Sequence, residues 1–247
     1  MDDPARRAEL ATALGEVRAR IERACTAAGR EPAAVTLIAV TKTYPASDVL
    51  ALAGLGVADV GENRDQEAAG KAAEVAAAGV DVRWHYVGRL QRNKCRSVVR
   101  YAAAVHSVDS LRLVTALDDA SRRAVDAGVR AGVVDTLVQV SLDADPSRGG
   151  AVPAAAEPER DLWAITRAVA AAPGLRLAGL MAVAPLHGEP ERAFADLAQL
   201  SARLRAEHPD ADAVSAGMSG DLEAAVRYGA THVRIGSALL GMRNTLR

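Results

Sequence analysis

The sequence predicts an α/β protein, a (β/α)8 barrel of the TIM type with one extra helix at its N-terminus. Three observations carry that expectation. Eight short segments rich in Val, Ile and Leu recur along the chain. Longer Ala-, Leu- and charge-rich segments with helical spacing separate them. The length of 247 residues suits this fold as one domain, so residues 1–247 are read as a single domain. An open doubly wound sheet fits less well. It needs fewer strands for this length, and no Gly-x-Gly-x-x-Gly turn follows a strand.

Residues 4–28 place Leu10, Leu14, Val17, Ile21 and Ala24 on one helical face, and Gly29 is a natural stop. The first strand, residues 35–41, is apolar at five of positions 35–40 and is followed by Pro45, so it reads as buried on both faces. A helix at 47–55, a strand at 58–61 and a helix at 64–78 follow. Next come a strand at 82–87, a helix at 91–101 and a strand at 104–107. A helix at 110–127 leads through a turn at Ala131-Gly132 to the strand at 136–142. Residues 143–158, with Pro146, Pro153, Pro158 and Gly149-Gly150, form the one long irregular stretch, which a barrel would place over its C-terminal mouth. The remainder alternates: helix 159–171, strand 176–181, helix 190–208, strand 213–216, helix 222–228 and strand 232–235.

Composition excludes several classes. With 3% aromatics, the core falls to Ala, Val, Leu and Ile. A net charge of −1 offers no attraction for nucleic acid or an anionic membrane. Two cysteines, Cys25 and Cys95, make neither a disulfide framework nor a zinc site, and reduced thiols in a cytoplasm are the simple reading. The N-terminus lacks the basic-then-apolar order of a secretory signal. No apolar run approaches the ~20 residues that span a bilayer.

In this fold the active site lies at the C-terminal strand ends. Read in order, these ends carry Lys42, then Glu62 and Asn63, then His85, Tyr86 and Gly88. Next are His106, Ser107 and Asp109, then Ser147 and Arg148, and then Met181. Residues 217–221 and 234–237 complete the set. A lysine at the mouth of a buried strand has its amine near apolar walls, where desolvation lowers its pKa and favours Schiff-base formation with an aldehyde. The alternative is a lysine that snorkels to water. Residues 215–221 form a Gly- and Ser-rich turn into a helix, and Gly236-Ser237 offers a second set of donors. Together they suit an anion at the usual phosphate position of the fold, although each alone is also a cap or a tight turn. Arg234 interrupts an apolar strand and needs an acceptor, either a carboxylate in the barrel or the ring nitrogen of a cofactor. Lysine, phosphate site and arginine match the aldehyde, phosphate and pyridine nitrogen of pyridoxal 5′-phosphate (PLP). His85 reads as a core histidine with one hydrogen bond, because no second ligand stands at metal spacing from it. Glu62 either caps the next helix or holds Lys42 or an arginine. The basic stretch 89–96 is a solvated face or a contact for a phosphate-rich ligand. Met181 and Met218 fill gaps, Cys25 is structural, and Cys95 is a candidate reactive thiol.

These motifs resemble the pyridoxal phosphate homeostasis proteins, relatives of the N-terminal barrel of alanine racemase. The resemblance rests on residues 39–45 around Lys42, residues 61–67, residues 84–94, Gly179-Leu180-Met181, residues 217–225 and residues 233–241, and it runs from about Leu10 to Arg243. It implies that Lys42 carries PLP as a covalent imine. It implies that Ser219, Gly236 and Ser237 hold the phosphate, with Met218 beside them, that Arg234 faces the pyridine nitrogen, and that Asn63 lies beside the ring. Arg89, Arg92, Gly220, Arg148 and Tyr44 depart from the family's usual residues, all around the mouth.

The expected function is a PLP carrier or regulator in vitamin B6 and amino-acid homeostasis, with little or no turnover. Arginine leaves the ring nitrogen unprotonated and so weakens the carbanion sink. The alanine racemases draw a second acid/base from a C-terminal β domain, and a chain ending at Arg247 just past strand eight leaves no room for one. A monomer is expected on the same ground, with PLP-dependent apo-enzymes as candidate partners. Two other readings stay open. One is a small PLP-dependent racemase whose second base is Tyr86, His85 or a residue of the 143–158 loop. The other is a cofactor-free Schiff-base aldolase acting through Lys42.

Overall fold

The structure is a computed structural model that describes residues 3–143, 148–186 and 188–241. Its strands are β1 (Thr36–Val40), β2 (Asp59–Glu62), β3 (Arg83–Tyr86), β4 (Ala102–Val108), β5 (Val134–Val140), β6 (Leu175–Ala182), β7 (Ala213–Ser215) and β8 (His232–Ile235). They pair in sequence order, all parallel, and β8 closes on β1. The predicted barrel is therefore the observed one.

The helices are α1 (Pro4–Ala27), α2 (Ala46–Gly54), α3 (Asp65–Ala77), α4 (Cys95–Val98), α5 (Leu111–Asp126), α6 (Leu162–Ala171), α7 (Pro190–Glu207), α8 (Leu222–Arg227) and α9 (Ser237–Leu240). The extra helix α1 starts at an Asp3 cap that accepts from the Ala5 and Arg6 N–H groups. It buries Leu10, Leu14, Val17 and Ile21, and it packs on α2, α8 and α9. Two departures from the sequence reading matter. The helix expected over 91–101 is a single 3-10 turn, Arg92–Lys94, leading into the one-turn α4. The short α9 just beyond β8 was not foreseen.

Two apolar shells fill the space between strands and helices, built almost wholly from Val, Leu, Ile and Ala. A smaller apolar cluster comprises Leu137, Ala178, Met181 and Ala213. Branched apolar side chains usually fill the inside of such barrels. Here buried His85, His106, Ser215 and Arg234 occupy much of it. His106 on β4 hydrogen-bonds Ser215 on β7, and those strands are not neighbours, so the bond crosses the interior. The long loop after β5 is partly built into the sheet: Ala151 bridges Val140, and Val152 bridges Asp161.

Candidate functional site

Lys42 follows β1 at the C-terminal mouth. The register of β1 with β8 pairs Ile38 with Arg234 and Ala39 with Ile235, which sets Lys42 beside the stretch Arg234–Ser237. The expected apolar surroundings are not observed, because Lys42 is exposed. What the sequence did not reveal is the support beneath it. Buried Glu62 accepts from the Thr41 hydroxyl at 2.6 Å and from Lys71 Nζ at 2.6 Å. Lys71 also donates to the Thr41 carbonyl at 2.7 Å and pairs with Glu67 at 2.7 Å. Glu67 in turn accepts the Thr43 backbone N–H. Thr43 has φ 69°, a left-handed conformation that costs a non-glycine residue about 1–3 kcal/mol. Glu62 therefore holds Lys71, not Lys42 or an arginine. Burial raises its carboxyl pKa, although Lys71 and Thr41 oppose the shift.

At the end of β2, Asn63 has its Oδ1 buried without a hydrogen-bond partner. Its backbone lies against Gly88, where an added Cβ would sit 2.2 Å from the Asn63 carbonyl oxygen. Only glycine permits that approach. Tyr86 donates to the same carbonyl at 3.4 Å.

The ends of β7 and β8 supply the hydroxyl groups. Gly217, at φ 91°, turns the chain where a Cβ would meet the Ala225 Cβ at 2.7 Å. Met218 is 39% exposed and does not fill a core gap, whereas Met181 is buried. Ser237 Oγ donates to Ser219 Oγ at 3.3 Å, and the Ala238 N–H at the start of α9 reaches the same oxygen at 3.3 Å. Helix α1 ties both loops from outside. Arg20 donates to the Ser219 carbonyl at 3.1 Å and pairs with Glu223, and Arg6 donates to the Leu240 carbonyl at 3.0 Å.

Arg234 is 5% exposed. Its acceptors are Ser215 Oγ at 2.7 Å and the Ala182 carbonyl at 2.8 Å, not the carboxylate considered from sequence. Burial pushes its pKa down to about 10, which keeps it a cation at neutral pH. His85 is not a histidine with one bond. It contacts His106 at 2.9 Å and Asp59 at 2.8 Å, and His232 lies within 6.3 Å ring to ring. Sequence spacing could not show these neighbours. No cluster of metal-ligating side chains occurs among the described residues.

Cys95 is fully buried and burial pushes its thiol up to about 11, so it is not a reactive thiol. Cys25 is buried against the core, as expected. In the 89–96 stretch, Lys94 lies 3.7 Å from Asp65. Arg148 pairs with Asp143 and donates to the Ala184 carbonyl at 2.9 Å, which ties the long loop to the end of β6. Ser147 and Arg243 lie outside the described residues.

An amine, two hydroxyls, a helix-start N–H and a buried guanidinium thus stand on residues at or near the ends of β1, β7 and β8. Fold and site define an alanine racemase-type barrel, and the alanine racemase N-terminal domain family matches residues 13–244. The chain belongs to the pyridoxal phosphate homeostasis protein family. It is 46% identical to the Mycobacterium tuberculosis pyridoxal phosphate homeostasis protein over 251 residues, covering 97% of this chain and 95% of that one. Identity to the Escherichia coli K12 protein of the same description is 36% over 240 residues, covering 96% and 97%. Among solved structures, PipY of Synechococcus elongatus with PLP bound superposes with TM-score 0.77 at 32% identity, covering 94% of this chain and all of PipY. Alanine racemase from Corynebacterium glutamicum shares the fold, with TM-score 0.66 at 15% identity, and this chain spans 62% of it.

Proposed function

We propose that this protein binds pyridoxal 5′-phosphate covalently through the Lys42 amine and serves in vitamin B6 and amino-acid homeostasis with little or no turnover. The observation that carries the reading is the donor set at one mouth. Lys42 offers an amine to an aldehyde. Ser219, Ser237, the Gly236 turn and the start of α9 offer donors to a phosphate, with Met218 alongside. Arg234 offers N–H groups to a ring nitrogen, and the unpartnered Asn63 Oδ1 marks a polar atom at the same mouth. When bound, PLP supplies an electrophilic carbon and an electron-withdrawing ring.

Three of this chain's own groups support the reading of low turnover. Arg234 only donates and stays charged, so it gives the ring nitrogen no proton. His85 is committed to Asp59 and His106 inside the barrel. Tyr86 packs in the outer apolar shell with its hydroxyl pKa raised by burial. Neither is placed as a free second base. Both cysteines are free and buried, which suits a cytoplasmic setting.

The test is a spectrum with a kinetic check. Protein mixed with PLP is expected to absorb near ~420 nm, to lose that band on borohydride reduction, and to gain the mass at Lys42. α-Proton exchange of D- or L-alanine in D2O is expected to stay far below enzyme rates. A mixture without that band, and without added mass at Lys42 after borohydride, would refute the imine, and rapid exchange would favour a racemase.

A further inference from the structure

One polar chain runs through the barrel interior. Arg234 Nη1 meets Ser215 Oγ at 2.7 Å, Ser215 Oγ meets His106 Nδ1 at 2.9 Å, His106 Nε2 meets His85 Nδ1 at 2.9 Å, and His85 Nε2 meets Asp59 Oδ1 at 2.8 Å. The five side chains come from β8, β7, β4, β3 and β2. With both imidazoles neutral, the carboxylate end orients every bond. A guanidinium only donates, so Ser215 accepts from Arg234 and keeps one proton and one lone pair, either of which can meet His106 Nδ1. A carboxylate only accepts, so His85 carries its own proton on Nε2, pointing at Asp59. His85 Nδ1 then accepts from His106 Nε2–H, which leaves His106 Nδ1 to accept the remaining Ser215 proton. His106 is wholly buried and neutral in this scheme, and Asp59 also receives Arg83 at 2.9 Å.

We propose that Asp59, His85, His106 and Ser215 are positioning residues for Arg234, joined to it in one head-to-tail hydrogen-bond relay from the guanidinium to a carboxylate at the first residue of β2. Bonds aligned in this way polarise one another, so a change at one end is felt at the other. What Arg234 faces rests on the PLP reading, whereas the relay itself does not.

The full chain with ¹⁵N-labelled histidine tests it without PLP. His85 and His106 are both expected to carry their proton on Nε2. In Asp59→Asn, whose amide can donate or accept at nearly the same volume, His106 is expected to populate the Nδ1–H tautomer although it does not touch residue 59. A His106 unchanged in Asp59→Asn, or protonated at Nδ1 in the native chain, overturns the relay. Ser215→Ala removes a single oxygen and serves if Asp59→Asn does not fold. The ring nitrogens of His85, two links away, are expected to shift, and unmoved His85 signals overturn the relay. Losing a hydrogen bond to a charged group is also expected to weaken PLP affinity, followed by fluorescence, about tenfold in Ser215→Ala. Unchanged affinity there overturns the positioning role. A native chain that shows neither the ~420 nm band with PLP nor added mass at Lys42 after borohydride sinks the imine reading and leaves the tautomers to decide the relay alone.

Discussion

The turn that presents Lys42 is shaped by residues that lie behind the barrel wall. Lys71, 6% exposed, neutralises Glu62 and Glu67 at once and fixes the Thr41 carbonyl, while Glu67 holds Thr43 in its left-handed conformation. Removing one partner of a buried ion pair costs about 3–5 kcal/mol, because the remaining charge stays desolvated. Lys71→Met is therefore expected to lower the melting temperature by roughly 10 °C for a protein of this size. It should also weaken PLP binding, because the turn loses its anchor. Glu67→Gln keeps an acceptor for the Thr43 N–H and should do less on both counts. Thermal melts with a PLP titration check this. An unchanged affinity in Lys71→Met would mean that the cluster only stabilises the fold. None of it was legible from sequence, where Lys71 looks like any helix lysine. Its i,i+4 partner Glu67 was a hint, but that spacing is usually a surface pair.

At the level of elements, the eight strands were legible because the two faces of a closed parallel barrel wall demand short apolar runs, and observed bounds differ from expected ones by at most two residues. The helix expected at 91–101 failed for a physical reason. Its pattern supports helix, but the chain must turn into β4 at Ala102, which leaves room for one 3-10 turn and the four residues of α4. The candidate site was legible where its residues stand at strand ends, as Lys42, Asn63, Ser219, Arg234 and Ser237 do. The relay was not, because residues 59, 85, 106, 215 and 234 meet only when the barrel closes. The loop after β3 offers a test of how one element places another. Gly88→Ala drives a methyl into the Asn63 backbone, which cannot yield as a flexible side chain would. Overpacking of this kind costs about 1–3 kcal/mol. The expected outcome is a lower urea midpoint together with weaker PLP binding, since Asn63 moves. A variant with native values of both would show that the β2 and β3 loops are free to separate.

The whole molecule holds its charges in an unusual place: α1 straps the β7 and β8 loops from outside through Arg20 and Arg6, while the barrel interior carries histidines in place of apolar filler. That interior sets how stability depends on pH. Burial, followed by repulsion from His85, Arg234 and His232, holds His106 well below its ordinary 6.5. Burial and the neighbouring His85 push His232 down to about 4. In the unfolded chain both would titrate near 6.5, so in the window below that value the unfolded state binds more protons than the native one. Stability must then fall as pH falls, by up to about 1.4 kcal/mol per pH unit for each histidine. Asp59 extends the trend at lower pH. Its pKa is lowered in the fold, with burial opposing and His85 and Arg83 prevailing, so its contribution is lost as pH drops below 3.8. Glu62 works the other way, because a raised carboxyl pKa favours the native state as pH falls. Two histidines against one glutamate leave the net slope positive. Urea midpoints are therefore expected to be lower at pH 5.5 than at pH 7.5, and His106→Gln should flatten the dependence even where it lowers both midpoints. A native chain equally stable at the two values would mean that the barrel accepts a proton on these histidines while folded, and that its interior is wetter than its packing implies.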